Sequence, residues 1–186
     1  MLLTLRGTPF IYYGEEIGMA DVPIPPKRIV DVAGRDPERT PMQWNASSAA
    51  GFTTGDPWLP VNPESATTNV EAQRRDPASM LSLYRRLIAE RRASPPLRRG
   101  TYRTLAAPKD VFAYARELDS ERRVVLLNFA DRAVRVPIAK LGIPADGLRI
   151  QLSTDPERAS DGVGKTIELA PEEGVLLGRG FGAGLR

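Results

Sequence analysis

The 186-residue chain contains no cysteine and no histidine. The first absence excludes disulfides, thiolate metal sites and thiol nucleophiles. The second is more informative, because without imidazole neither a Ser-His nor a Cys-His nucleophile nor a His-ligated metal can be assembled. Long apolar runs are missing too: none approaches the roughly 18 residues needed to cross a bilayer. The opening Met1-Leu2-Leu3-Thr4-Leu5-Arg6 has neither the basic leader nor the apolar stretch of a signal peptide. A cytoplasmic protein with no membrane contact is expected. Strong charge of one sign is also lacking, since 26 basic and 23 acidic side chains leave a formal charge of +3. The pairs Arg74-Arg75, Arg85-Arg86, Arg91-Arg92, Arg98-Arg99 and Arg122-Arg123 are scattered among acids and apolar residues. They form no basic stripe, and no nucleic-acid partner is expected.

What is present begins with the apolar run Pro9-Phe10-Ile11-Tyr12-Tyr13, closed by Gly14 and followed by Glu15-Glu16. This is the pattern of a buried parallel strand that ends at a functional loop. A lone strand of that kind has nothing to bury its faces, so residues 8–13 read as the last strand of an otherwise missing barrel. Between residues 21 and 75, Pro23, Pro25, Pro26, Pro37, Pro41, Pro57, Pro60 and Pro63 forbid long regular elements. The same stretch holds Met42, Trp44, Phe52 and Trp58, which argues for an ordered excursion with packed aromatics rather than a linker. Residues 76–93 predict a helix, with Asp76 as cap, Pro77 in the first turn and Ser94-Pro95-Pro96 as the stop. Its stripe of Met80, Leu83, Tyr84, Leu87 and Ile88 is the core-facing side of an outer barrel helix. From about residue 97 the pattern shifts to strands, predicted at 101–106, 111–117, 123–129, 132–138, 148–152, 165–169 and 173–178. Hairpin turns are predicted at Asp119-Ser120-Glu121 and Ala130-Asp131. The fold class is thus an α/β barrel remnant over 1–96 followed by an all-β antiparallel sandwich over 97–180, with a frayed Gly-rich tail over 181–186.

Three segments then occur in a telling order. They are Gly7-Thr8-Pro9-Phe10-Ile11-Tyr12-Tyr13-Gly14-Glu15-Glu16-Ile17-Gly18, Gly34-Arg35-Asp36-Pro37-Glu38-Arg39-Thr40-Pro41-Met42-Gln43-Trp44 and Pro57-Trp58-Leu59-Pro60-Val61-Asn62-Pro63. Together they resemble the α-amylase superfamily of glycoside hydrolases. The middle one is similar to the branch holding α-glucosidases, oligo-1,6-glucosidases and trehalose synthases, and the third tilts the likeness toward the glucosidases. The resemblance runs from residue 1 to about residue 130. It implies a (β/α)8 barrel with a nucleophilic Asp after the fourth strand, a Glu acid/base after the fifth and a stabilising Asp after the seventh. That last Asp belongs to an Asn-His-Asp triplet upstream of the segment matching Met1–Leu5. No catalytic residue is therefore expected in this chain, which agrees with its lack of histidine.

What the resemblance leaves here is substrate binding. Arg35 corresponds to the arginine that grips the terminal glucose in the family's −1 subsite, and Arg39 lines the same pocket mouth. A guanidinium suits that task because it presents a rigid fork of donors and stays charged. A spacing of four puts both arginines on one side if the segment turns helically. Only fifteen residues separate Met19 from Arg35, fewer than in many relatives, where a longer loop shapes the aglycone side.

Plainer readings stand beside these. Glu15-Glu16 invites a carboxylate-pair reading, but retaining catalysis needs two groups about 5–5.5 Å apart, and neighbours on a strand point to opposite faces. A turn-capping or Arg-pairing role suits them better. Arg35 and Arg39 either touch ligand or pair with Asp31, Asp36 or Glu38. Trp44 and Trp58 are read as packing residues rather than sugar platforms. The expected function is the C-terminal part of a retaining α-glucosidase acting on short α-glucosidic oligosaccharides, inactive by itself. The alternatives are a non-catalytic carbohydrate-binding or interaction module, or one half of a split glucosidase or trehalose synthase completed by an N-terminal barrel half. No cofactor and no metal are expected.

Overall fold

Alternation of apolar residues shapes the C-terminal part of the chain. The structure, a computed structural model, describes residues 1–158 and 161–179, so the tail predicted over 181–186 lies outside the described residues. Two compact units divide the chain: Met1–Pro9 with the chain from Arg86 onward, and Phe10–Arg85.

Among the described residues the first unit holds seven strands: β1 (Thr101–Thr104), β2 (Val111–Leu118), β3 (Glu121–Asn128), β4 (Val134–Pro137), β5 (Leu148–Ser153), β6 (Thr166–Leu169) and β7 (Gly174–Arg179). Five form one antiparallel sheet in the order β1-β2-β3-β7-β5, and β4 pairs with β6 in a second. Ala113, Ala115, Val124, Leu126, Val175 and Leu177 of the large sheet meet Val136, Ile167 and Leu169 of the small one in a single core. Each such fully buried Val or Leu contributes about 1.5–3 kcal/mol. The two-layer architecture is the one read from the strand pattern.

The turn after β2 is tight, with Leu118 opposite Glu121 and Asp119 in left-handed conformation at φ 52°. The second predicted hairpin, at Ala130-Asp131, does not form. β4 leaves β3 and joins the other sheet, because the Asn128 amide donates to the carbonyls of Arg132 (2.8 Å) and Ala170 (2.7 Å) and steers the chain across.

Successive residues of β2 point to opposite faces, so Tyr114 and Arg116 face away from the inter-sheet core, yet both are fully buried. The helix α3 (Pro95–Arg99) packs on β2 and β3 from that side, with Leu97 fully buried. Residues 1–9 join it there. The Thr4 hydroxyl meets the Tyr114 hydroxyl at 2.6 Å, and burial pushes the Tyr114 phenol up to about 12. Gly100 is the pinch point between α3 and the sheet. A Cβ there would sit 2.5 Å from the Pro96 carbonyl oxygen and 2.7 Å from that of Glu117. Its φ of −64° is ordinary, so the conflict is steric and not torsional. Gly100→Ala will lower stability by about 1–3 kcal/mol, read as a reduced urea midpoint with an unchanged slope; an unchanged midpoint would mean that α3 shifts freely.

Residues 8–93 depart from expectation in four ways. No strand forms over residues 8–13, and Phe10 is 82% exposed. A strand is defined by its ladder, and none of the described residues pairs with this segment. The helix predicted over 76–93 starts later, as α2 (Met80–Ala93), and a separate short helix that was not predicted, α1 (Val70–Arg75), precedes it. Asp76 closes a turn by accepting from the Ala78 N–H (2.8 Å), while the Ser79 hydroxyl takes the cap by accepting from the Ser82 N–H (3.2 Å). The α2 stripe is half-buried rather than core: Met80 is exposed, and Leu81, off the stripe, is the buried residue. Finally, Trp44, Phe52 and Trp58 are each about half exposed, so the predicted aromatic packing is not found, although Met42 is buried.

What orders the second unit is a small apolar cluster of Ile17, Met42, Val70 and Leu81 with Met19 beside it. Side-chain amides staple the loops around the cluster. Asn62 caps the short turn Pro63–Ala66 and donates to the Ala20 carbonyl (3.2 Å), and Asn69 caps α1. The Gln73 amide spans the Ile17 carbonyl (2.7 Å) and the Leu81 N–H (3.0 Å). Among the described residues, no helix is long and apolar enough to cross a membrane.

Candidate functional site

Residues 30–40 fold around one carboxylate, that of Asp31. The Arg35 guanidinium grips it in bidentate fashion, Nε to Oδ2 at 2.6 Å and Nη2 to Oδ1 at 3.0 Å. Arg39 Nη1 approaches Oδ2 at 3.6 Å. The backbone N–H groups of Arg35 (3.1 Å) and Ala33 (3.3 Å) donate to the same side chain. Hydrogen bonding from the Arg35 guanidinium, against the opposing effect of desolvation, holds the Asp31 carboxyl far below the usual carboxylate range, and the Arg35 and Ala33 N–H groups add to it. The local sequence explains the shape. Gly34, at φ +74°, lets the chain turn left-handed so that its N–H returns to the Asp31 carbonyl (2.9 Å). A single 3-10 turn, Asp36–Arg39, then follows.

Asp36 is 1% exposed and is not an arginine partner. Its Oδ2 accepts from the Val30 (2.7 Å) and Asp31 (2.9 Å) N–H groups, fixing the backbone that carries the Asp31 carboxylate. The two arginines singled out from sequence are thus brought together, on the Asp31 partner rather than on Asp36 or Glu38. Their exposures differ usefully: the Arg35 side chain is 56% exposed and that of Arg39 35%.

Next to this cluster lies a cleft of about 300 Å³ bordered by Tyr12, Tyr13, Glu15, Asp21, Pro37 and Glu38. The rings of Tyr12 and Tyr13 lie 4.8 Å apart at a 40° tilt. The Tyr13 hydroxyl donates to the Thr40 carbonyl (3.1 Å), tying the cleft wall to the arginine turn. Burial and the neighbouring Tyr12 raise the Tyr13 phenol, and the charge of Arg39 works against them. The carboxylates that end the apolar run serve their own turn: Glu15 accepts from the Tyr12 N–H (3.1 Å) and Glu16 from the Gly14 N–H (2.9 Å). Gly14 sits at φ +93°, and a Cβ there would meet the Met19 side chain at 2.9 Å. The tyrosine cleft and the central position of Asp31 were not singled out from sequence. The adjacent tyrosines after Phe10-Ile11 were the available signal for the first. Among the described residues, no group of three or more acids is placed to hold a metal ion. Chemically the site offers two side-by-side cations and a tyrosine-walled cleft, suited to gripping a polyhydroxylated ligand.

Comparison with known proteins gives a consistent result. The family sequence model described as "Alpha amylase, catalytic domain" matches residues 1–100. The oligo-1,6-glucosidase of Parageobacillus thermoglucosidasius is 35% identical over 156 residues, covering 69% of this chain and 28% of the relative. The amino acid transporter heavy chain SLC3A1 of Rattus norvegicus is 37% identical over 183 residues, covering 95% of this chain and 27% of the relative. Among solved structures, the trehalulose synthase MutB from Pseudomonas mesoacidophila MX-45 matches with a TM-score of 0.81 at 33% identity, covering 95% of this chain and 36% of that one. The chain therefore spans under a third of the length of these two curated relatives.

Proposed function

The chain belongs to the α-amylase catalytic-domain family, and from that premise we propose that it is the C-terminal part of a retaining, cytoplasmic α-glucosidase for short α-glucosidic oligosaccharides. In this reading residues 8–13 are the last barrel strand of the complete enzyme, and 1–96 complete a barrel whose catalytic carboxylates lie outside this chain. Residues 97–180 are the C-terminal β-domain. Arg35 and Arg39 hold the terminal glucose, and neither acts in bond cleavage. The observation that carries the reading is the Asp31 cluster. It sets two guanidiniums side by side, in the segment that resembles the glucosidases, next to a cleft of about 300 Å³. Identity of 35% to an oligo-1,6-glucosidase supports the substrate class.

The test joins residues 1–186 to the missing part: they replace the matching C-terminal part of the Parageobacillus thermoglucosidasius enzyme. We expect the chain alone to release no glucose from isomaltose or a nitrophenyl α-glucoside, and the folded chimera to release it from both. Turnover by the isolated chain would show that its own residues suffice for the chemistry. A folded but silent chimera would overturn the glucosidase reading. That second outcome favours the other reading, a non-catalytic interaction module, which the match to a transporter heavy chain over 95% of this chain supports.

A further inference from the structure

We propose that the cleft bordered by Arg6, Arg91, Arg98 and Arg99 is a binding site for a phosphate group. These side chains are scattered along the sequence and meet around a space of about 520 Å³, large enough for a phosphate with a hexose attached. No Asp or Glu borders it. Among the described residues, none of the four arginines joins a salt bridge, although nine such pairs form elsewhere.

The four have different duties. Arg91 is held in place, its Nη1 donating to the carbonyls of Leu3 (2.9 Å) and Leu5 (3.1 Å) and its Nη2 to that of Gly7 (2.5 Å). Those bonds fix both a cation and the loop that forms the cleft floor. Arg98 and Arg99 close α3, Arg6 comes from the first residues of the chain, and all three are exposed. Behind them the buried Arg116 adds a fifth positive charge, and besides its burial the charges of Arg91 and Arg6 depress its guanidinium. The successive N–H groups of Gly7 and Thr8 have no acceptor among the described residues. Gly7 takes φ +118° with open space where a Cβ would stand. Adjacent free N–H groups beside several guanidiniums are the donor set of an oxyanion site. Guanidinium forks match phosphate oxygens bidentately, and a cavity lined by one sign of charge concentrates counter-ions. A single local cluster of four arginines suits one compact phosphate group, free or esterified, rather than a polymer backbone. The assignment uses none of the Asp31 cluster and is independent of the glucosidase reading.

Isothermal titration of the 186-residue chain at low ionic strength tests it, with inorganic phosphate, glucose 6-phosphate and glucose as probes. Phosphate and the ester should bind at one shared site and compete, while glucose gives no heat. Arg98→Gln/Arg99→Gln should weaken both by about tenfold or more, since hydrogen bonds to charged groups are worth about 1.5–3 kcal/mol each. Arg6→Gln, on a different segment of the lining, should weaken them as well and serves if the double variant misfolds. Arg135→Gln, which breaks an exposed pair with Glu168, should change nothing. The tighter of the two ligands identifies the source, free phosphate or sugar phosphate. A silent phosphate titration, or folded cleft variants that bind as the parent does, would overturn the assignment.

Discussion

Arg116→Leu will destabilise the sheet-bearing unit by about 3–5 kcal/mol, as expected when two buried carbonyls and one partly exposed carbonyl lose their donor at about 1–3 kcal/mol each. Arg116 has no exposed surface and, among the described residues, no carboxylate partner. Its guanidinium is used on backbone oxygens: Nε on Thr101, Nη1 on Thr4 and Nη2 on Gly100, each at 3.0 Å. One side chain thereby ties β1, the end of α3 and the first residues of the chain to β2. Leucine matches the volume roughly but donates nothing; the Thr4 and Gly100 carbonyls are buried, and water can replace the donor only at the more exposed Thr101 carbonyl. Arg116→Lys should recover only a minor part, because a single ammonium cannot reproduce a planar fork aimed in three directions. Single domains hold about 5–15 kcal/mol in all, so the loss brings the chain close to its unfolding threshold. Urea denaturation followed by circular dichroism measures it, with Arg135→Leu as an exposed control expected to keep the parent's midpoint. An Arg116→Leu midpoint matching that control would mean the three carbonyls find other donors.

The same residue shows what was and was not legible in advance. β2 and β3 were readable because the strands predicted at 111–117 and 123–129 carry apolar groups on both faces, and both faces are in fact covered. That the charged Arg116 lies inside such a strand was not readable. Its burial depends on Thr4 and Gly100, which the fold delivers from elsewhere. The segment from Thr8 to Tyr13 failed for the opposite reason: its residues are strand-like, but whether a strand exists is decided by a neighbour and not by the segment. α2 began later than expected because Asp76 and Ser79 compete for the cap, and hydroxyl and carboxylate caps look alike in sequence. At the candidate site, Arg35 and Arg39 were visible because the motif that carries them is contiguous. The choice of Asp31 over Asp36 as their partner rests on the left-handed turn at Gly34 and on Asp36 facing the backbone of Val30 and Asp31. The arginine cleft was invisible, since Arg6, Arg91 and Arg98 are neighbours only after folding.

Arg35→Ala in the chimeric glucosidase should lower kcat/KM for isomaltose by about 100-fold, the effect of losing two charged hydrogen bonds to the substrate. The ion pair with Asp31 does not stand in the way. A guanidinium has five N–H donors, and Asp31 engages only the Nε and one Nη2 hydrogen. The outward edge of a half-exposed Arg35 is therefore free to meet sugar hydroxyls, while Asp31 fixes its plane. Three variants separate that account from a purely structural ion pair. Arg35→Lys keeps the charge but not the fork, and should remain near the alanine value. Arg39→Ala should cost about tenfold, in line with its longer 3.6 Å approach to Asp31 and lesser exposure. Asp31→Asn leaves both cations in place without their orienting charge, and should raise KM while kcat moves little, because positioning for binding is lost and not chemistry. If folded Arg35→Ala turned over isomaltose as well as the parent chimera, Arg35 would serve Asp31 and the loop alone, and the grip on the terminal sugar would have to come from other residues.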